Sequence, residues 1–449
     1  MTVALPNPDR VAISALSRPQ MELTTAGLKP FLKRSIWIGK TNHYARDIVG
    51  RLQAALPTTT ERKRNLAQYI AASVALHAND GWSYLGRSVG CLLAGDTHRA
   101  LHLAYYAELR AAMSLLASVG IGIFNTKHFI VPAANTTARL QLTKGTHVMS
   151  WLALEEWSAQ PVSGALFARL IRPEGRTLDE WFHAQGGAAA LAPQAKAWFM
   201  RWGMDLSFAA KDRDARNESS YRPDGLPTTW ELNAKDGLEF IRDMWSMLEP
   251  SATSSFEQID RHILRLVIER YYLGTSGKAA SSTDAAFVAL VQATVSAQSL
   301  GSIREDLLKK FLLRQSATDD PMIFKYSAVK PGTPQTDAFA VMSRAVLLLR
   351  VATGSAQDLL GQAGFDAAAL SFWWQKLGEA RGLWNPGSPP AALADLWADI
   401  EDGLREVEAL ELREPEALEA ISGIAYGGFR GLNVLASHER VGLWGLCPA

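Results

Sequence analysis

Alanine, leucine and tyrosine recur at three- and four-residue steps from residue 61 to residue 120. That period fits one face of an α-helix and not the two-residue alternation of a half-buried strand. A chain whose first long stretch carries this pattern builds its core from packed helices. Turn chemistry divides the run. Pro57 and the threonines at 58–60, followed by Glu61, read as a stop and a new N-cap with its capping-box glutamate. Asn79, Asp80 and Gly81 read as a break, so one helix is expected to end near His77 and a second to cover 82–93. Gly95 and Asp96 end the second, and a third covers 97–118 before Gly120 and Gly122.

On either side the pattern changes. Residues 1–30 carry scattered prolines and little periodicity and read as an arm. Residues 31–57 read as a short apolar segment and a helix. Residues 123–156 turn β-like at 123–124, 129–131, 138–142 and 147–149, the mark of a small hairpin or extended insertion. Helical patterning returns near 151–168, 177–184 and 193–210. Beyond Pro227 it continues at 230–248, 255–273, 283–315, 336–353, 367–380, 391–410 and 415–436. The apolar tail around Trp444 is expected to dock on the core, and Trp373, Trp374, Trp384 and Trp397 to fill the core of the C-terminal part. The expected fold is all-α with a small β insertion.

Composition narrows the function. A net charge of +1 over 449 residues gives no global drive toward nucleic acid, so any such site must be a local patch. Two distant cysteines, Cys91 and Cys447, fit a reducing compartment and argue against a disulfide scaffold or a cysteine-based zinc site. The N-terminus lacks a basic segment followed by an apolar one, and no uninterrupted apolar run approaches the roughly 20 residues of a membrane span. The expected setting is the cytoplasm, with no membrane partner. His-Glu-x-x-His, a phosphate-binding Gly-Lys-Ser/Thr loop and Gly-x-Ser-x-Gly are all absent, and neither a metal nor a cofactor is expected.

The most polar segment in the middle of the chain is 213–223. Arg216 supplies a fork of donors suited to phosphate, Asn217 a donor and an acceptor, and Tyr221 a hydroxyl. Together they could hold a phosphodiester. The same residues also read as a polar helix end, since Asp212, Asp214 and Glu218 lie within reach of the arginines. A second informative stretch runs from Ala104 through Tyr105, Tyr106 and Glu108 to Arg110, with Tyr106, Leu109 and Met113 at helix spacing. That spacing reads as a core face with alanines allowing close packing. Lys127 and His128 follow the helix end, as dipole complementation or as a phosphate-facing corner.

Taken in order, these stretches resemble the HEPN superfamily (higher eukaryote and prokaryote nucleotide-binding domains). In that family a Tyr-Tyr-Ala helix precedes small residues, an apolar run ending in Gly and often a Lys-His pair; residues 105–128 match this. An Arg and a polar residue follow, then a His four to six residues after the Arg. Arg216 and Asn217 stand in the first positions and Tyr221 in that of the His. The resemblance covers roughly 66–225. It implies an N-terminal arm and helix (1–65), a HEPN-like helical bundle (66–229) and a larger helical C-terminal region (230–449). It further implies a metal-independent ribonuclease or toxin component of a bacterial anti-phage or stress system, with RNA as partner, a homodimer and other proteins of a defence complex. Arg216, Asn217 and Tyr221 would be catalytic; Lys127, His128, Arg213 and Arg222 would contact nucleic acid.

Tyr221 departs from the pattern. Bringing a tyrosine from about 10 to about 7 needs roughly 3 pKa units, or about 4 kcal/mol, so it would serve as a donor and not as a base. Residues five apart on a helix point about 140° apart, so Arg216 and Tyr221 converge only at a helix end or across two protomers. The alternatives are a catalytically degenerate scaffold or sensor subunit, and a module that binds a nucleotide or phosphate ligand without cleaving it. Arg176 with His183 also meets the loose Arg-to-His spacing, while Arg99 and His102 lie too close for it.

Overall fold

A computed structural model describes residues 4–187, 214, 217, 234–314, 320–328, 337–413 and 430–447. The elements follow in chain order. Four short helices come first: α1 (Asn7–Ser14), α2 (Arg18–Ala26), α3 (Lys29–Leu32) and α4 (Ile48–Ala54). A long hairpin of α5 (Thr60–Leu93) and α6 (Thr97–Ser118) follows, then β1 (Ile121–Phe124), β2 (Lys127–Ala133) and β3 (Thr136–Arg139). Next are α7 (Thr146–Ser158), α8 (Pro161–Leu170), α9 (Leu178–Trp181), α10 (Ala234–Leu248), α11 (Glu257–Ser276), α12 (Ala285–Ser296), α13 (Ser302–Leu312) and α14 (Met322–Ser327). The chain closes with α15 (Ala338–Gln362), α16 (Ser371–Arg381), α17 (Trp397–Arg413), α18 (Arg430–Leu435) and α19 (Glu439–Leu446). The described chain is predominantly helical with one small antiparallel sheet of order β1-β2-β3.

The hairpin of α5 and α6 is capped by its own sequence. Thr59 accepts from the amide of Arg62, and Asp96 from that of Arg99. The two helices run antiparallel, with Ser114 Oγ donating to the Val74 carbonyl at 2.7 Å. α15 lies across both. Trp82 Nε1 donates to Thr353 Oγ1 at 2.9 Å, and Ser118 and Ser355 share a hydrogen bond of 2.7 Å. α15 is the one described helix long and apolar enough to cross a membrane, and it is a buried core helix.

The expected break at 79–81 does not occur, because α5 is continuous across it. Gly81 is buried where the three long helices meet. A Cβ there would stand 2.5 Å from Leu349 Cδ2 of α15 and 3.3 Å from the Ala107 carbonyl of α6. A residue that weakens an isolated helix by about 1 kcal/mol here lets two neighbours approach. The described part of the expected arm, residues 4–30, packs on the core. Asp9, in α1, accepts from the amides of Gln141 and Leu142 at 2.7 and 2.9 Å, and Arg18, in α2, reaches Asp358 on α15 at 2.7 Å.

The insertion is the expected hairpin, extended to three strands by the turn at Asn135, but 147–149 is helical. Gly145 opens α7 there and Met149 is buried on its inner side. The expected helix at 283–315 is divided by Gly301, whose φ of +88° ends regular helix. The C-terminal tail docks as expected, with Leu443, Trp444, Leu446 and Cys447 buried. Among the described residues the buried indoles of the core are Trp82, Trp151, Trp157, Trp181, Trp245 and Trp444; Trp373, Trp374, Trp384 and Trp397 are half-buried at its edge.

Buried charge ties the C-terminal helices to the rest. Arg350 on α15 grips Asp260 on α11 through two bonds of 2.7 and 2.6 Å, and also donates to the Leu170 carbonyl at 2.7 Å. Nearby, Glu257 accepts from the Glu174 amide at 2.8 Å, and Glu174 pairs with Arg261 and Arg304. Burial pushes the Glu257 carboxyl up to about 7; the Glu174 and Asp260 charges add to this, while the Glu174 amide and Arg261 oppose it.

Two predictions follow from this packing. In Gly86→Ala the new Cβ meets the Ala436 carbonyl at 2.3 Å, whereas in Gly90→Ala it meets only Ala436 Cβ at 3.7 Å. Thermal melts should show Gly86→Ala destabilised by about 1–3 kcal/mol and Gly90→Ala unchanged or stabilised by up to about 1 kcal/mol. Because the folded-state pKa of Glu257 lies above its ordinary 4.5, its contribution is complete below that value and is lost as pH rises through about 7. Glu257→Gln should therefore melt higher than wild type at pH 8, by about 1–3 kcal/mol, and equally at pH 4.

Candidate functional site

On α5, Tyr69, His77, Asp80, Tyr84 and Arg87 fall at three- and four-residue steps, with a double step between Tyr69 and His77, and so share one side of the helix. On α6, His102, Tyr106 and Arg110 do the same. The antiparallel hairpin sets the two stripes side by side and half-open to solvent. Tyr106 is the hub. Its ring stacks on Tyr84 at 5.5 Å between centroids, with His102 at 5.1 Å and His147 of α7 edge-on at 5.8 Å. Arg87 lies over the Tyr84 ring at 5.6 Å and is exposed.

Beneath the hub, Tyr105 is fully buried. Its hydroxyl accepts from Trp151 Nε1 at 3.3 Å and lies 3.2 Å from Nδ1 of His147, whose ring stacks on it. Glu108, one turn further along α6, is buried with Arg344 of α15 at 3.8 Å. The half-buried rings are therefore held from behind by hydrogen bonds and by a buried ion pair.

At the other end of the strip Arg110 donates to Nδ1 of His77 at 2.9 Å and lies 3.8 Å from Asp80. A guanidinium has no acceptor, so this nitrogen of His77 carries no proton and the ring is neutral. Burial, reinforced by the Arg110 charge, pushes the His77 pKa down to about 3. Burial raises the Asp80 carboxyl, against the pull of Arg110, Arg87 and Arg381.

The residues singled out in the sequence are distributed differently. Arg213, Arg216, Tyr221 and Arg222 lie outside the described residues. Asn217 is helical and half-buried. Lys127 opens β2 and is half-buried, opposite Phe124. His128 is fully buried, as are Phe129, Ile130 and Val131 after it, so both faces of β2 are covered there and its side chain is away from the surface. Its Nε2 donates to the Lys144 carbonyl at 2.7 Å, and burial lowers its pKa. It acts instead on the segment entering α7, three residues before His147.

Sequence reasoning missed His77, Asp80, Tyr84, Arg87, His102 and His147 as one group. The stripe on α5 was readable only with the helix continuous through Gly81, and His147 only with 147–149 as helix. Among the described residues no three histidines, cysteines or carboxylates are placed to hold a metal ion. Compared with protein-family models, curated proteins and solved structures, the chain has no match.

The His77 ring should not titrate between pH 5 and pH 8. In Arg110→Ala its midpoint should move up toward the ordinary 6.5, since the nearby positive charge that helps burial lower it is gone. NMR of histidine-labelled protein, with the resonance assigned by its loss in His77→Gln, measures both.

Proposed function

We propose that the Tyr106 face binds single-stranded RNA and that the protein is an RNA-acting component of the class its resemblance to HEPN domains implies. The observation that carries this reading is the Tyr106 hub: the stacked, tilted and edge-on rings of Tyr84, His102 and His147, bracketed by Arg87 and Arg110. Exposed ring faces take bases, and guanidinium groups take the phosphates between them. Such a strip suits a chain with a net charge of only +1, because it concentrates cations locally.

Cleavage needs a base for the 2′-hydroxyl, an acid for the leaving oxygen and positive charge on the phosphate. His102 and His147 flank one ring, and histidine is the residue type that exchanges protons near neutral pH. In this reading they serve as the base and acid, and Arg216, Asn217 and Tyr221 contribute from the segment 213–223, in the same protomer or across a dimer. A second reading is supported by the buried His128, which has a structural task at the expected phosphate corner. In that reading the face binds RNA, or a nucleotide, without cutting it, as part of a sensor or scaffold.

Fluorescence anisotropy with a short unstructured RNA tests the binding. Tyr106→Ala and Arg110→Ala should each weaken it about tenfold, and Tyr106→Phe should preserve it, because one stacked base contributes about 1–3 kcal/mol. No binding by wild type would end the reading. Incubation with total RNA then separates the two forms. Loss of cutting in His147→Gln and Arg216→Ala with binding retained supports a nuclease; binding without cutting in wild type supports the sensor.

A further inference from the structure

A cleft of about 310 Å³ opens between α3 and the start of α16. Its floor is apolar, made by Leu32, Phe365 and Phe372. Behind the floor Trp37 stands edge-on to Phe372 and Trp373, at 5.8 and 5.6 Å, so the aromatic wall is supported from within. The rim is of opposite character. Lys29 and Lys33 are both exposed on it, and among the described residues no carboxylate lines the cleft. Ser371, also in the lining, is the first residue of α16, and its amide donates to the Ala368 carbonyl at 3.2 Å. Asp366 caps the turn that leads into the helix, accepting from the Ala369 amide at 2.8 Å, so the positive charge of the opening comes from the two lysines.

We propose that this cleft binds a small amphipathic anion: a carboxylate, sulfonate or phosphate head on an aromatic or short aliphatic body. The head meets Lys29 and Lys33, and the body rests on Leu32, Phe365 and Phe372. The volume sits at the lower end of small-molecule sites, which matches a small molecule. This site is independent of the RNA reading, since it shares no residue with the Tyr106 face.

The full chain is titrated with anilinonaphthalene sulfonate, an aromatic anion that fluoresces when its body leaves water, and with its uncharged congener N-phenyl-1-naphthylamine. The expected result is saturable binding of the sulfonate at one site per chain. Binding should be about tenfold weaker in Lys29→Glu/Lys33→Glu, equivalent to about 1.4 kcal/mol, and retained in Lys29→Arg/Lys33→Arg. The neutral dye should bind at least several-fold less tightly, with both variants melting as wild type. Unchanged affinity in the glutamate variant, equal affinity for the two dyes, or the lack of any saturable component would overturn the proposal. If the glutamate variant melts lower, Ser371→Glu places the opposing charge from the other wall and must weaken the sulfonate alone.

Discussion

An apolar helix with three buried charges sets the terms for the whole molecule. α15 carries Arg344, Arg350 and Asp358 into the interior, and a desolvated charge without a partner is strongly destabilising. Arg344 lies 3.8 Å from Glu108 of α6, and Arg350 binds Asp260 of α11. Asp358 takes both Arg18 of α2 and Arg169 of α8, at 2.7 and 2.6 Å. Arg350 projects about 120° around the axis from Arg344, so the partners come from different sides. Hydrophobic burial alone would tolerate some sliding of α15. Breaking the fully buried Arg350–Asp260 pair alone costs about 3–5 kcal/mol, which favours one register.

That register reaches the candidate site. Glu108 and Tyr105 are on the inner side of α6, and Tyr106 and Arg110 on its outer side. Anchoring the inner side by Arg344, Trp151 and His147 fixes the rotation of α6, and with it the direction in which Tyr106 points. The outer rings thus have a rigid base, which a stacking surface needs. His128 belongs to the same support, because its bond to the Lys144 carbonyl holds the entry to α7 and hence His147.

Much of this was legible in the residues. The period of three and four between 61 and 120, the caps at Thr59 and Asp96, and the β signals at 123–142 correspond to real elements. Errors arose where local signals have a second use. Asn79 and Gly81 are turn formers in a short window, but at the crossing of three helices small size decides. The prolines near the N-terminus start helices instead of breaking them: Pro6 is the N-cap of α1 and Pro19 lies in the first turn of α2. Of the candidate site, Tyr105, Tyr106 and Arg110 stood out as residues, but their partners on α5 and α7 did not, since no local pattern links positions 84, 106 and 147.

The sequence by itself determined the helical class, the hairpin of two long helices, the small sheet and the absence of common cofactor motifs. These follow from period, capping and composition, each a property of a few neighbouring residues. Tertiary structure decided the continuity of α5, the burial of His128, the pairing of Arg350 with Asp260 and the meeting of Tyr84, Tyr106 and His147. These depend on which groups lose water together, and desolvation is set by partners tens or hundreds of residues away in the chain.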